Sequence, residues 1–243
     1  MQDQKKAVIV GASSGIGREI AKQLLQRGWT VGVAARRQER LDELRQEHEG
    51  RVVAMSIDVT SHQATSSLQQ LIAQLGGMDL YVHVAGIGHQ NRLLDETVEL
   101  TTADTNAIGF MRMVGQAYRY FAEKGCGHIA AITSIAGTKG LGPAPAYSAT
   151  KALQNVYLQA LEQQARQRGL DISVTDIRPG FVDTDLLAGD FHYPMMLRPE
   201  RVASAVADAI DHRRHVLVVD WRYRLLTALW RRLPQWLWRR LKL

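Results

Sequence analysis

Seven short runs rich in Val and Ile alternate with helical stretches along the 243-residue chain. The runs lie at 7–10, 30–34, 52–57, 80–84, 128–133, 172–177 and 216–219. Helical patterns occupy 15–27, 38–47, 61–75, 105–124, 147–168 and 199–212. Strands separated by helices need crossover connections. That predicts an α/β protein whose seven-stranded sheet is parallel and covered by helices on both faces. The alternation has no linker and no repeat, so residues 1–220 read as one doubly wound domain. Residues 221–243 follow the last strand as an amphipathic helical tail.

The first run, Ala7-Val8-Ile9-Val10, is uniformly apolar, the pattern of a strand buried on both faces. A helix follows, opening on Gly15 and Gly17. Thr30-Val31-Gly32-Val33-Ala34 is the second strand, and the charged stretch at 38–47 is the second helix. The third strand stops at Ile57, before Asp58, and the helix at 61–75 leads to Leu80-Tyr81-Val82-His83-Val84. The fifth strand stops at Thr133, before Ser134, and the sixth at Ile177, close to Pro179-Gly180. Gly and Pro gather at 137–145 and 179–180, where loops follow strands. The seventh strand precedes the tail.

Charge divides the chain differently. Lys and Arg number 30 against 24 Asp and Glu, a net charge of +6. Seven of the basic residues and no acidic ones fall in 221–243, so the body carries 23 against 24. A nearly neutral body has no general basic surface, which argues against nucleic acid as a partner. The single cysteine, Cys126, excludes an internal disulfide framework and any cysteine-cluster metal site. The first apolar run is too short for a signal-peptide core, and no stretch reaches the ~18 apolar residues of a membrane span. The expected location is cytoplasmic.

Gly11-Ala12-Ser13-Ser14-Gly15-Ile16-Gly17 joins the first strand to the first helix. Glycines there permit a tight turn and close backbone approach to a pyrophosphate, which the helix N-terminus would hold. The site is therefore of Rossmann type, with G-x-x-x-G-x-G spacing. Where an NAD site would place a carboxylate for the ribose, the second strand ends in Ala35-Arg36-Arg37. Arginine accommodates a 2′-phosphate, so the expected cofactor is NADP(H).

Tyr147 and Lys151 are four apart on the fifth helical stretch and share one face. A phenol of pKa ~10 exchanges protons slowly at neutral pH, and a neighbouring ammonium lowers it. Ser134, at a strand's C-terminal end, faces the ligand crevice and is placed to bind a substrate oxygen. In this combination the chain resembles the short-chain dehydrogenase/reductase family over nearly all of residues 5–220. Gly11, Gly15, Gly17, Ser134, Tyr147 and Lys151 match its motifs. So do Asp58-Val59, Asn106, Ala85-Gly86 and Pro179-Gly180-Phe181-Val182-Asp183-Thr184.

The resemblance implies a division of labour. Tyr147 would be the general acid or base, Lys151 would lower its pKa and bind the nicotinamide ribose, and Ser134 would hold the carbonyl. Asn106 would hold a water linking Lys151 to solvent. Asp58 and Val59 would contact adenine, Ala85 and Gly86 its ribose, and Pro179, Gly180, Val182 and Thr184 the nicotinamide. Ser13, Ser14 and Ile16 complete the phosphate loop, with Arg36 and Arg37 at the 2′-phosphate. One motif departs from the family: His83-Val84 stands where Asn-Asn is usual, and His83 reads as a structural hydrogen-bonder. A homo-oligomer, dimer or tetramer, is also expected from the family.

The segment 185–197 is largely apolar and aromatic and carries no Lys or Arg, which points to an uncharged hydrophobic carbonyl or alcohol. The loop at 140–145 would form the opposite wall. The leading expectation is an NADPH-dependent reductase of such substrates. A 3-oxoacyl thioester reductase, using Arg198 and Arg201 toward an acidic carrier protein, is one alternative. A non-catalytic NADP(H)-binding regulator is the other. In the tail, Leu225, Leu226, Leu229, Trp230, Leu233, Trp236, Leu237 and Leu241 share one helical face, and most arginines share the other. Pro234 divides it into two helices. The pattern suits peripheral contact with an anionic membrane, at its inner face, but also a subunit contact or packing on the body.

Overall fold

The computed structural model describes residues 4–185 and 193–241. Its strands are β1 (Lys6–Val10), β2 (Thr30–Ala35), β3 (Val52–Ser56), β4 (Leu80–His83), β5 (Cys126–Ile132), β6 (Asp171–Arg178) and β7 (Val216–Val218). They form one seven-stranded sheet in the order β3-β2-β1-β4-β5-β6-β7, and every pairing is parallel. This is the doubly wound Rossmann-type fold. Strand order reverses beside β1, whose two neighbours are β2 and β4. At such a switch point the loops leaving the C-terminal strand ends part and open a crevice.

The helices are α1 (Gly15–Gln26), α2 (Gln38–Glu47), α3 (Ala64–Leu75), α4 (Glu96–Ala103), α5 (Phe110–Lys124), α6 (Pro145–Gln167), α7 (Pro199–Asp211), α8 (Trp221–Arg232) and α9 (Gln235–Trp238). Alternation along β1 shows how the core is split. Ala7 and Ile9 join Leu24 of α1 and Val206 of α7 on one face, while Val8 and Val10 join Leu71 of α3 and Phe110 of α5 on the other. All four β1 residues are fully buried, so the run needs no polar face.

Two boundaries differ from expectation. The helix expected at 105–124 begins at Glu96 as α4, passes through a π turn at Asp104–Gly109 and continues as α5. Asp95 caps its start by accepting from Val98 N at 3.1 Å. The weak hydrophobic periodicity of Glu96–Ala103 had hidden it. The tail forms two helices broken at Pro234 as expected, but its buried face is rotated. Tyr223 and Thr227 are buried and Leu226 and Trp230 pack against the core, while Leu225 and Leu229 face outward.

Candidate active site

The cofactor cradle follows from local backbone demands. Ser14 precedes α1 without any side-chain cap on the first turn, so the leading N–H groups remain available to an anion. A Cβ on Gly11 would lie 2.4 Å from the Ala85 nitrogen, and one on Gly17 would lie 2.1 Å from the Gly11 oxygen. Gly15, with φ of +52°, abuts the Thr184 methyl. Only glycine closes this turn against the end of β4.

Arg37 reaches back over that loop, donating to Ser13 Oγ at 3.1 Å and Ser14 Oγ at 2.7 Å. Arg36 lies instead toward Asp58. Burial pushes the Asp58 carboxyl up, but the Thr60 N–H and hydroxyl, at 2.9 and 2.7 Å, outweigh it with help from Arg36 and hold it low. Val59 is buried, and its carbonyl is held by Arg112 at 2.7 Å. An open helix N-terminus, a backbone turn that any Cβ would fill and a guanidinium beside two hydroxyls fit a dinucleotide.

The candidate catalytic groups meet at the ends of β4 and β5. Ser134 Oγ accepts from Ala136 N–H at 3.0 Å, capping the short turn Ile135–Thr138 and leaving its proton to donate into the cleft. Lys151 Nζ lies 5.7 Å from the centre of the Tyr147 ring. That ammonium donates to the Ile132 carbonyl and to Gln154 Oε1, both at 3.1 Å. Gln154 Nε2 in turn donates to the Asn106 backbone carbonyl at 2.7 Å.

Gln154 was missed by sequence reasoning. It sits three residues after Lys151, and its completely buried amide bridges the ammonium and the Asn106 backbone carbonyl. A polar side chain at a helix position facing the sheet was the available signal. Asn106 itself lies in the π turn and clasps Ile87, accepting from its N–H at 2.9 Å and donating to its carbonyl at 2.7 Å. A π turn rotates the residues after it, a distortion common at functional sites.

Burial raises the Tyr147 phenol above its usual range, and the Ser134 hydroxyl only partly offsets this. Lys151 is itself lowered to about 8 by burial, with Asp176 pulling the other way. His83 is buried, hydrogen-bonds the Tyr81 hydroxyl through Nδ1 at 2.9 Å, and stands edge-on to Phe110. Burial and Lys151 push it down to about 3, so it stays neutral and acts as a structural residue.

The third wall comes from the segment after β6. A Cβ on Gly180 would lie 2.1 Å from the Tyr223 ring, so α8 rests directly on the Pro-Gly turn. The Tyr223 hydroxyl accepts from Phe181 N–H at 3.2 Å and is 3.0 Å from the carbonyls of Pro194 and Met195. Phe181 and Tyr193 rings stack with centroids 4.6 Å apart. Residues 186–192 of the apolar segment lie outside the described residues. Arg201 lies 3.5 Å from Asp220.

A family model described as short chain dehydrogenase matches residues 5–192. The chain belongs to that family. An uncharacterized oxidoreductase of Staphylococcus epidermidis is 33% identical over 219 residues, covering 88% of this chain and 94% of the relative. Among solved structures, an alcohol dehydrogenase from the archaeon Thermococcus sibiricus, complexed with 5-hydroxy-NADP, superposes with a TM-score of 0.80 at 25% identity. It covers 91% of this chain and 98% of its own. The fold is shared with a 3-ketoacyl-(acyl-carrier-protein) reductase from Brucella melitensis, complexed with NADH, at TM-score 0.81 and 23% identity. There the shares are 90% and 98%. As a family member the chain is an NAD(P)-dependent oxidoreductase of Rossmann fold.

Proposed function

We propose that this enzyme reduces hydrophobic ketones or aldehydes with NADPH in the cytoplasm. The observation that carries the chemistry is the meeting of the Ser134 hydroxyl, the Tyr147 phenol and the Lys151 ammonium at the ends of β4 and β5. A protonated phenol is an acid in waiting, which suits reduction; oxidation would need the phenolate. The solved relatives carry NADP in one case and NADH in the other, so cofactor choice rests on this chain's own residues. Arg37 over Ser13 and Ser14 favours NADPH.

When bound, the nicotinamide supplies the hydride that reaches the carbonyl carbon. Ser134 donates a hydrogen bond to the carbonyl oxygen and orients it. Tyr147 gives its proton to that oxygen as negative charge develops, leaving phenolate and alcohol. The Lys151 ammonium steadies the phenolate until solvent restores the proton. The loop 11–17 would hold the pyrophosphate, Asp58 and Val59 the adenine, Ala85 and Gly86 its ribose, and 179–184 the nicotinamide. Half-buried Phe181, stacked on Tyr193 beside the Pro-Gly turn, supports an uncharged substrate.

NADPH and NADH consumption across a panel of apolar ketones, aldehydes and 3-oxoacyl thioesters tests this reading. Turnover of apolar carbonyls with NADPH, lost at least a hundredfold in Tyr147→Phe, is expected. Tight NADPH binding without turnover of any carbonyl would favour a regulator instead.

A further inference from the structure

The structure assigns the outer surface of α8 and α9 to docking on an anionic lipid bilayer, beyond the reductase reading and independent of it. Tyr223, Thr227 and Trp238 anchor the two helices on the body, with Trp238 Nε1 donating to the Gly140 carbonyl at 2.8 Å. The opposite surface is left uncovered. Trp221 is 63% exposed, Leu225 62%, Leu229 57% and Trp236 61%. Trp221, Leu225 and Leu229 follow one another at i, i+4 and i+8, so they form a single row along α8. The Arg240 guanidinium lies 5.7 Å from the centre of the Trp236 ring and sets a cation against one of the two outward indoles.

Charge identifies what covers this row. Arg224, Arg231, Arg232, Arg239 and Arg240 border it, and none forms an ion pair among the described residues. No acidic residue occurs in 221–243. A groove of about 720 Å³ opens beside α9, lined by Arg92, Lys139 and Arg239 around Trp238 and Leu241, and no carboxylate lines it. Three cations beside an indole suit phosphate headgroups at the level where tryptophan and leucine enter the interface. A second copy is the weaker occupant: a two-fold contact would set this cationic surface against itself.

Anchoring through inner-face contacts leaves the body folded while the row meets lipid. The surface also adjoins the loop at 137–142, which leads from Ser134 to Tyr147. An enzyme lying on this face would present that loop to membrane-dissolved substrate.

Flotation of the full chain with vesicles tests the assignment. The vesicles are phosphatidylcholine alone and phosphatidylcholine mixed equally with phosphatidylglycerol. The expected result is at least tenfold more protein floating with the anionic vesicles, reversed by high salt, with a blue shift of tryptophan emission. Leu225→Glu with Leu229→Glu, both on the exposed row, should abolish flotation while circular dichroism and melting temperature stay unchanged. Arg92→Gln with Arg239→Gln should weaken it and flatten its salt dependence. Failure of the native chain to float on anionic vesicles overturns the proposal. So does undiminished flotation of the Leu225/Leu229 variant. If that variant instead turns a dimer into a monomer by light scattering, the surface joins two copies and the lipid assignment is wrong.

Discussion

Gln154 carries one amide with two different obligations, and its orientation follows from them. The Asn106 carbonyl can only accept, so the amide nitrogen faces it and the amide oxygen faces the Lys151 ammonium. Held at both ends, the Gln154 amide positions the ammonium. Activity should accordingly follow Lys151. Its pKa lies near 8, below the usual 10.5, so its charge is present below pH 8 and lost as pH rises through it. With Tyr147 raised and His83 held near 3, neither adds an inflection between them. The pH profile of kcat/KM for reduction is expected to be flat from about 5 to 7 and to fall above about 8. Gln154→Glu sets a carboxylate against the ammonium and should move that falling limb upward by about one unit or more. An unmoved limb would show that Lys151 does not control it. Stability has the opposite slope. The unfolded chain binds the Lys151 proton more tightly, so between pH 8 and 10.5 the folded state gains as pH rises.

Among the elements, α8 supports the cofactor side through one residue. Tyr223 is fully buried, its ring filling the space over Gly180 and its hydroxyl accepting from Phe181 N–H. Tyr223→Phe keeps the ring and leaves that N–H and two nearby carbonyls without their partner, which costs about 1–3 kcal/mol. Urea denaturation should show this loss, accompanied by a rise in KM for NADPH that Thr227→Ala, farther along the same face, does not reproduce. This contact was not legible in the sequence, because tail and Pro-Gly turn are some 40 residues apart and nothing local couples them. The central strands were legible because they are almost wholly apolar, as double burial requires, and β6 was marked by Ile172, Val174 and Ile177 among Ser173, Thr175 and Asp176. So were Ser134, Tyr147 and Lys151, whose positions follow from strand ends and helix spacing. The direction of the Tyr147 shift was not. It depends on burial, which spacing does not encode, and α4 was missed because Glu96–Ala103 lacks an apolar stripe.

At the scale of the whole molecule, the basic tail is part of the core as well as its most cationic surface. One face of α8 closes the same apolar cluster that contains Ile9 of β1 and Val206 of α7, and Trp230 and Trp238 meet edge to face with centroids 5.3 Å apart. Lys139 fastens the joint between the two helices by donating to the Leu233 carbonyl at 3.1 Å. Ending the chain at Asp220 would therefore uncover the Pro-Gly turn at Gly180 and Phe181 and the loop at Gly140, not merely remove charge. Deleting one large buried aromatic side chain already costs about 3–5 kcal/mol, and truncation removes Tyr223 and Trp238 together. Since a domain of this kind holds only about 5–15 kcal/mol, the shortened chain should unfold at markedly lower urea concentration or fail to fold. Any fraction that folds should also respond weakly to cofactor. In the full chain, NADPH at a hundred times its Kd adds about 2.7 kcal/mol, and that increment depends on a Pro-Gly turn seated on Tyr223. Equal melting temperatures for the two chains, with equal shifts on adding NADPH, would return the tail to the status of an appendage.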